Sequence, residues 1–128
     1  MIIGGMFNQN DILGAAMQTA VLRDRIHAHN LANNDTPGFK RFEVFFEDNL
    51  QRAVDNYRAT GRLNLSRVNP EVRQVRMNLR SRIDGNNVDI NEENVMLFRN
   101  SVIFDALAGS VIANYRQLTT VFNNMRGS

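Results

Sequence analysis

The chain has 128 residues, a formal net charge of +2 and an apolar fraction of 43%, which suits one compact domain or a small domain with long extensions. It has no Cys, which excludes a disulfide framework and a thiolate metal site and leaves the compartment open. It has no run of about 18 apolar residues, so no transmembrane helix is expected. The opening Met1-Ile2-Ile3-Gly4-Gly5-Met6-Phe7 lacks the basic and apolar regions of a cleaved secretory signal.

Residues 1 to 8 have weak periodicity and read as a mobile end, ordered by a partner. From 8 to 34 the pattern is helical. Asn8 or Asn10 can cap its start, and Leu13, Met17, Val21, Ala28, Leu31 and Ala32 fit one face, which Asp24 interrupts. A helix of about 24 residues is about 36 Å long. It stops in Asn30-Leu31-Ala32-Asn33-Asn34-Asp35-Thr36-Pro37-Gly38-Phe39-Lys40. Pro37 pushes Thr36 out of the helical region, Pro37-Gly38 suits the centre of a type II turn, and Asn33 or Asn34 can take a left-handed cap.

Phe42, Phe46, Leu50, Ala53 or Val54, and Tyr57 then fit a short second helix over about 44–57, with Glu43, Glu47 and Asp48 on its solvated side. Phe39, Phe42, Phe45 and Phe46 are half of the eight Phe and read as a core anchor. Residues 59–88 lack helical periodicity. Thr60-Gly61 and Asn69-Pro70 punctuate them, and partial alternation from Arg73 to Ile83 fits a short hairpin. Fourteen of the fifteen basic residues are Arg, Lys40 being the exception, and eight of them lie from Arg52 to Arg82. That stretch lacks interleaved aromatics and a known motif, so no nucleic-acid partner is expected.

Asp84-Gly85-Asn86-Asn87 is a turn signal. Asp89 followed by Glu92 resembles a capping box, with Asn91 the other candidate cap. The last helix, 90–125, carries the strongest pattern: Leu97, Ser101, Phe104, Ala108, Val111, Tyr115, Leu118, Phe122 and Met125 alternate by four and three, a heptad seam. Val95, Phe98, Val102, Ala106, Gly109 and Ile112 form a second apolar stripe. One N-terminal helix cannot cover both, and uncovered stripes of that size mark interaction surfaces. The expected fold is mainly α: long N- and C-terminal helices in an antiparallel coiled-coil-like pair, with a short second helix and an irregular or β-hairpin middle over 35–89, all within one unit of 1–128.

No catalytic constellation stands out. His27 and His29 are two apart on a helix, point to different faces and do not share a metal easily. Glu92 and Glu93 read as favourable charges at a helix start. There is no Gly-rich phosphate loop and no nucleophile with a local partner. No enzyme activity, metal or cofactor is expected.

The run Asn30, Leu31, Ala32, Asn33, then Thr36, Gly38, Phe39 and Lys40 resembles the N-terminal signature of the bacterial flagellar rod and hook proteins, roughly Asn-Leu/Ile-Ala-Asn-x-x-Thr-x-Gly-Tyr/Phe-Lys. His29 stands where that family often has Asn. The paired terminal helices and the minimal middle resemble its smallest members, the proximal rod proteins of the basal body. The direct turn through Pro37, without a longer Gly-rich insertion, and the segment from Asp84 to Ile90 resemble one type among them.

That resemblance implies a structural subunit of the proximal rod, packed through its terminal helices into a tubular drive shaft around the export channel. It implies self-association, contacts with other rod subunits, the rod-base adaptor and membrane ring, and passage through the export apparatus without signal cleavage into a rod that spans the periplasm. Residues 30–40 would form a fixed corner, and Leu97, Phe104, Ala108, Val111, Tyr115, Leu118, Phe122 and Met125 the assembly seam. The same helical layout is open to another reading, a soluble helical export chaperone or regulatory adaptor.

Overall fold

The computed structural model describes residues 2–76 and 82–127, and side chains from Asn8 onward. Two long helices run side by side and antiparallel, α1 (Ile2–Ala32) and α3 (Ile90–Arg126). Between them lie β1 (Phe42–Phe45), α2 (Glu47–Thr60), a single 3-10 turn at Leu65–Arg67 and β2 (Glu71–Gln74). At 1.5 Å per residue, α1 is about 46 Å and α3 about 55 Å long.

α1 starts at Ile2, not near Asn8. Gly4 and Gly5 lower helix propensity by about 1 kcal/mol each but do not break a helix, and no Pro precedes Asn8. The expected second helix begins three residues later than its apolar spacing suggests. Phe42–Phe45 is a strand instead, antiparallel to β2, with Phe42 opposite Gln74 and Phe45 opposite Glu71. Phe42 and Phe46 suit a helix by spacing, yet Phe-Glu-Val-Phe also alternates, and tertiary pairing decides between the two. The expected hairpin from Arg73 to Ile83 is thus a pairing across some thirty residues, and its stretch 77–81 lies outside the described residues. α2 ends as Thr60-Gly61 leads one to expect: Gly61 is left-handed at φ +69° and donates its N–H to Tyr57 O at 2.7 Å. Asp89 caps α3, its Oδ1 accepting from Asn91 N at 2.9 Å and Glu92 N at 3.2 Å, which satisfies two helix N–H groups.

A small apolar core forms where α2 folds back onto α1: Phe46, Ala53 and Val68 are buried against Ala15, Ala16, Leu50, Leu63 and Leu65. Of the four Phe read as an anchor, Phe46 is buried and the other three are half-buried. Among the described residues six apolar residues are buried, against seven polar or charged ones: Thr19, His27, Asn30, Arg41, Asn86, Glu93 and Asn100. This inverts the usual interior. The chain exposes 9066 Å², where a compact monomer of 14.6 kDa exposes about 6,900 Å². The extra surface, about 2,150 Å², exceeds the roughly 800 Å² that one partner contributes to a standard protein interface.

Much of that surface is on α3. An 18-residue window of this helix has a mean hydropathy of 1.5 with 6% of it buried, enough by length and composition to cross a membrane. The expectation of no such helix rested on an unbroken apolar run. The average instead admits interspersed Ser, Asn and Gly, and core helices of proteins outside membranes pass by the same average.

Candidate functional site

Two arrangements on this scaffold could carry function: the corner at the end of α1 and the length of α3. The corner is built first from its turn. Phe39 N donates to Thr36 O at 3.3 Å across Pro37-Gly38, and Gly38 sits at φ +73°, the positive value the third place of a type II turn requires. The expected left-handed cap at Asn33 or Asn34 does not form, since no described non-glycine residue has a positive φ. The chain exit is held from a distance instead. Asn86, fully buried, points its Nδ2 at the carbonyls of Asn33, Asn34 and Thr36 at 2.9, 3.0 and 2.8 Å, and its Oδ1 accepts from Val88 N at 2.8 Å. One amide side chain thereby ties down three carbonyls of the turn that follows α1, while the carbonyls of His29, Asn30 and Leu31 at the helix end accept from Asn33 N and Asn34 N. Gly38 N donates to Asp84 O at 2.8 Å, and Lys40 Nζ donates to Gly85 O.

Beneath the turn lies a charged node. Glu93 of α3 is fully buried. Its Oε1 accepts from Arg41 Nε at 2.7 Å, and its Oε2 lies 2.6 Å from His27 Nδ1. An ionised carboxylate only accepts, so the His27 ring carries its proton on Nδ1. Asn30 Nδ2 approaches both carboxylate oxygens, at 3.3 and 3.2 Å. Asn30 also donates to Phe42 O and accepts from Phe42 N, both at 2.9 Å, so its amide lies along β1 as a further strand would. Arg41 O accepts from Val75 N at 2.8 Å, and Asn87 bridges Arg41 N at 2.7 Å and Val75 O at 2.8 Å. Helix α1, the strand pair and the start of α3 are thus joined through one carboxylate.

Burial pushes the Glu93 carboxyl up, but the hydrogen bonds from His27, Arg41 and Asn30 and the Arg41 charge outweigh it and hold the group below the ordinary carboxylate range. Burial likewise disfavours the Arg41 cation, yet Glu93 and Glu43 outweigh it and raise Arg41 above its usual value. Arg23 extends the network along α1: it holds Glu47 through two hydrogen bonds of 2.8 and 2.6 Å and donates to Val44 O at 3.1 Å. The Glu47 carboxyl is lowered chiefly by that Arg23 bond, which outweighs its partial burial. A cleft of about 320 Å³ opens beside the node. Both carboxylates that line it, Glu43 and Glu47, are held by Arg41 and Arg23. The arrangement fixes geometry; among the described residues no group of His, Cys, Asp and Glu is placed to hold a metal.

The structure brings Asn30, Asn33, Thr36, Pro37, Gly38, Phe39 and Lys40 into the corner. Phe39 and Phe42 meet the ring of His29, with centroids 5.7 and 5.9 Å from it. Leu31 is half-buried on α1 and Ala32 is exposed. Along α3, Leu97, Phe104, Ala108, Val111 and Leu118 are half-buried toward α1, while Ser101, Tyr115, Phe122 and Met125 are exposed. The inward places between them fall one residue earlier, at Asn100, Leu107 and Asn114.

Glu93 does stand in the first turn of α3, as a favourable charge at a helix start would, but its burial and its partners on α1 were not anticipated from the sequence. Its signal was position, four before Leu97 and seven before Asn100, on the face that meets α1. Within the Arg-rich middle, three of the described Arg have these partners. Arg73 joins Glu71 and lies 4.8 Å over the Phe45 ring, Arg52 reaches Asn49 and Asp48, and Arg82 reaches Asn34 and Asp84.

No family model matches the chain. A curated relative, flagellar basal body rod protein FlgB of Borrelia hermsii, is 33% identical over 126 residues, covering 87% of this chain and 93% of the relative. With the corner signature and the paired terminal helices, that similarity places the chain in the FlgB family of flagellar basal body rod proteins.

Proposed function

We propose that the protein is a structural subunit of the proximal rod, assembling through α1 and α3 into a tubular drive shaft around the export channel. The observation that carries this reading is the outer face of α3, where Val95, Phe98, Val102, Ile112, Tyr115 and Phe122 are all exposed. An apolar face that long is stable only when covered. Neighbouring rod subunits cover it, and each subunit repeats the contact in a heterologous manner that extends as a helix instead of closing. Tyr115 and Phe122 face those neighbours. Leu97, Phe104, Ala108, Val111 and Leu118 serve the pair of helices that presents them. Burial of the face contributes roughly 25 cal/mol per Å² before the costs of ordering.

The corner at Asn30–Lys40 directs the middle segment away from the tube wall. Its role is mechanical, not catalytic. The rod-base adaptor, the membrane ring and the next rod subunits are the further contacts of this reading, and the chain reaches them across the periplasm through the export apparatus with no cleaved signal. Deleting the gene and imaging basal bodies tests it. A missing rod is the expected result; an intact rod with impaired export contradicts it and favours an export chaperone or adaptor.

A further inference from the structure

We infer that Glu93, Asn100 and Asn114 form a register key that reserves the inner seam of α3 for the α1 helix of the same chain. The three residues are spaced by seven and fourteen along α3, so they lie on one heptad line. Each meets a polar group of α1: Glu93 meets His27 and Asn30; Asn100 Nδ2 donates to Ala20 O at 2.7 Å and to Asp24 Oδ1 at 2.8 Å; Asn114 Nδ2 donates to Asn10 Oδ1 at 2.9 Å. In the pairs Glu93 with Asn30, Asn100 with Asp24 and Asn114 with Asn10, the advance along α3 matches the retreat along α1 to within one residue. One antiparallel register satisfies all three.

The remaining seam residues, Leu97, Phe104, Leu107, Val111 and Leu118, discriminate poorly. Such a face can slip by a turn or accept a second α3. A slip would carry the ionised Glu93 and two amides against groups that cannot answer them, which is unfavourable in a buried seam. Asn100 itself argues for this role. Its Oδ1 is buried with no partner, the sole such side-chain atom among the described residues, so the amide carries a desolvation cost at that place. A polar residue kept at one seam position at a cost in stability is how paired helices specify register and partner. The inference concerns pairing within the chain and does not rest on the rod reading.

The absence of Cys makes the test direct. Asp11→Cys and Gln117→Cys, exposed residues within one turn of the Asn10–Asn114 contact that they leave in place, are introduced together, and the dilute full-length chain is joined with a flexible bis-maleimide, with and without Asn100→Leu. The expected result is intramolecular product while Asn100 is present. With Asn100→Leu the ratio of intermolecular to intramolecular product rises roughly tenfold, at unchanged helix content by circular dichroism. An unchanged ratio overturns the inference. So does loss of helix content in the Leu variant, because an apolar residue is then not tolerated in the seam.

Discussion

At the corner, Asn30, Arg41, Asn86 and Glu93 are buried, and each is satisfied by partners in the same chain. Along the outer face of α3 the relation is reversed: Phe98 is 74% exposed and Tyr115 62% exposed, with apolar surface that the chain does not cover. The corner spends polar residues to set one geometry inside the subunit. The outer face holds back the apolar surface that a self-contained domain would have used for its core. The difference explains how so small an apolar interior can accompany two long helices, and it separates what the subunit needs to fold from what it offers to neighbours.

The largest break in this comparison is expected from Glu93→Ala. It leaves Arg41 and His27 buried around a missing carboxylate, a loss of about 3–5 kcal/mol, to be read from the urea midpoint of the isolated chain. Acid tests the same group without mutation. The Glu93 carboxyl is lowered in the folded state, so its contribution is present above the unfolded carboxylate value and is lost as pH falls through the folded one. Stability should therefore hold from pH 7 to about 5 and decline below the ordinary carboxylate range near 4.3. A flat urea midpoint from pH 6 to 3 would show that Glu93 is not the hub.

Asn86→Ala comes next. It strips three carbonyls of their shared donor and should cost about 2 kcal/mol, with faster amide exchange in the turn at 36–39. Gly38→Ala should cost about 1 kcal/mol. A Cβ there meets nothing within 4 Å, so strain at φ +73° is the whole effect.

The smallest effect on the isolated chain is expected on the outer face. Phe122→Asp or Tyr115→Asp should change stability by less than about 0.5 kcal/mol while abolishing assembly, read as swarming and rod recovery. A large loss of monomer stability from either would erase the distinction between the two regions. Val111→Asp and Leu118→Asp, on the half-buried side, should impair both, because a charge there is unpaired in the α1 seam.

Much of the frame was legible in the sequence. Periodicity located the two long helices, Asp89 announced the start of α3, and Pro37-Gly38 announced the turn. These features are local, and each is written in residues a few places apart. The node was not legible, because Glu93 and His27 stand 66 residues apart and nothing near either shows that they meet. Asn86 was read as turn chemistry of its own segment, and its hold on the turn after α1 depends on a contact across 53 residues to Asn33. Strand β1 was missed for the same reason: its partner β2 lies far along the chain. In α3 the four-three rhythm falls on half-buried places at Leu97, Phe104, Val111 and Leu118. It went outward in between because Tyr115 looks more like a seam residue than Asn114 does. Hydrophobicity alone favours Tyr115; the hydrogen bond to Asn10 decides for Asn114.

The central claim is that the outer face of α3 is a contact between subunits. A density map of the assembled basal body tests it most directly. The account predicts Phe98, Tyr115 and Phe122 covered by helices of adjacent subunits, with the corner at Asn30–Lys40 intact at the outside of the helix layer. A map in which those three side chains face open solvent would contradict it.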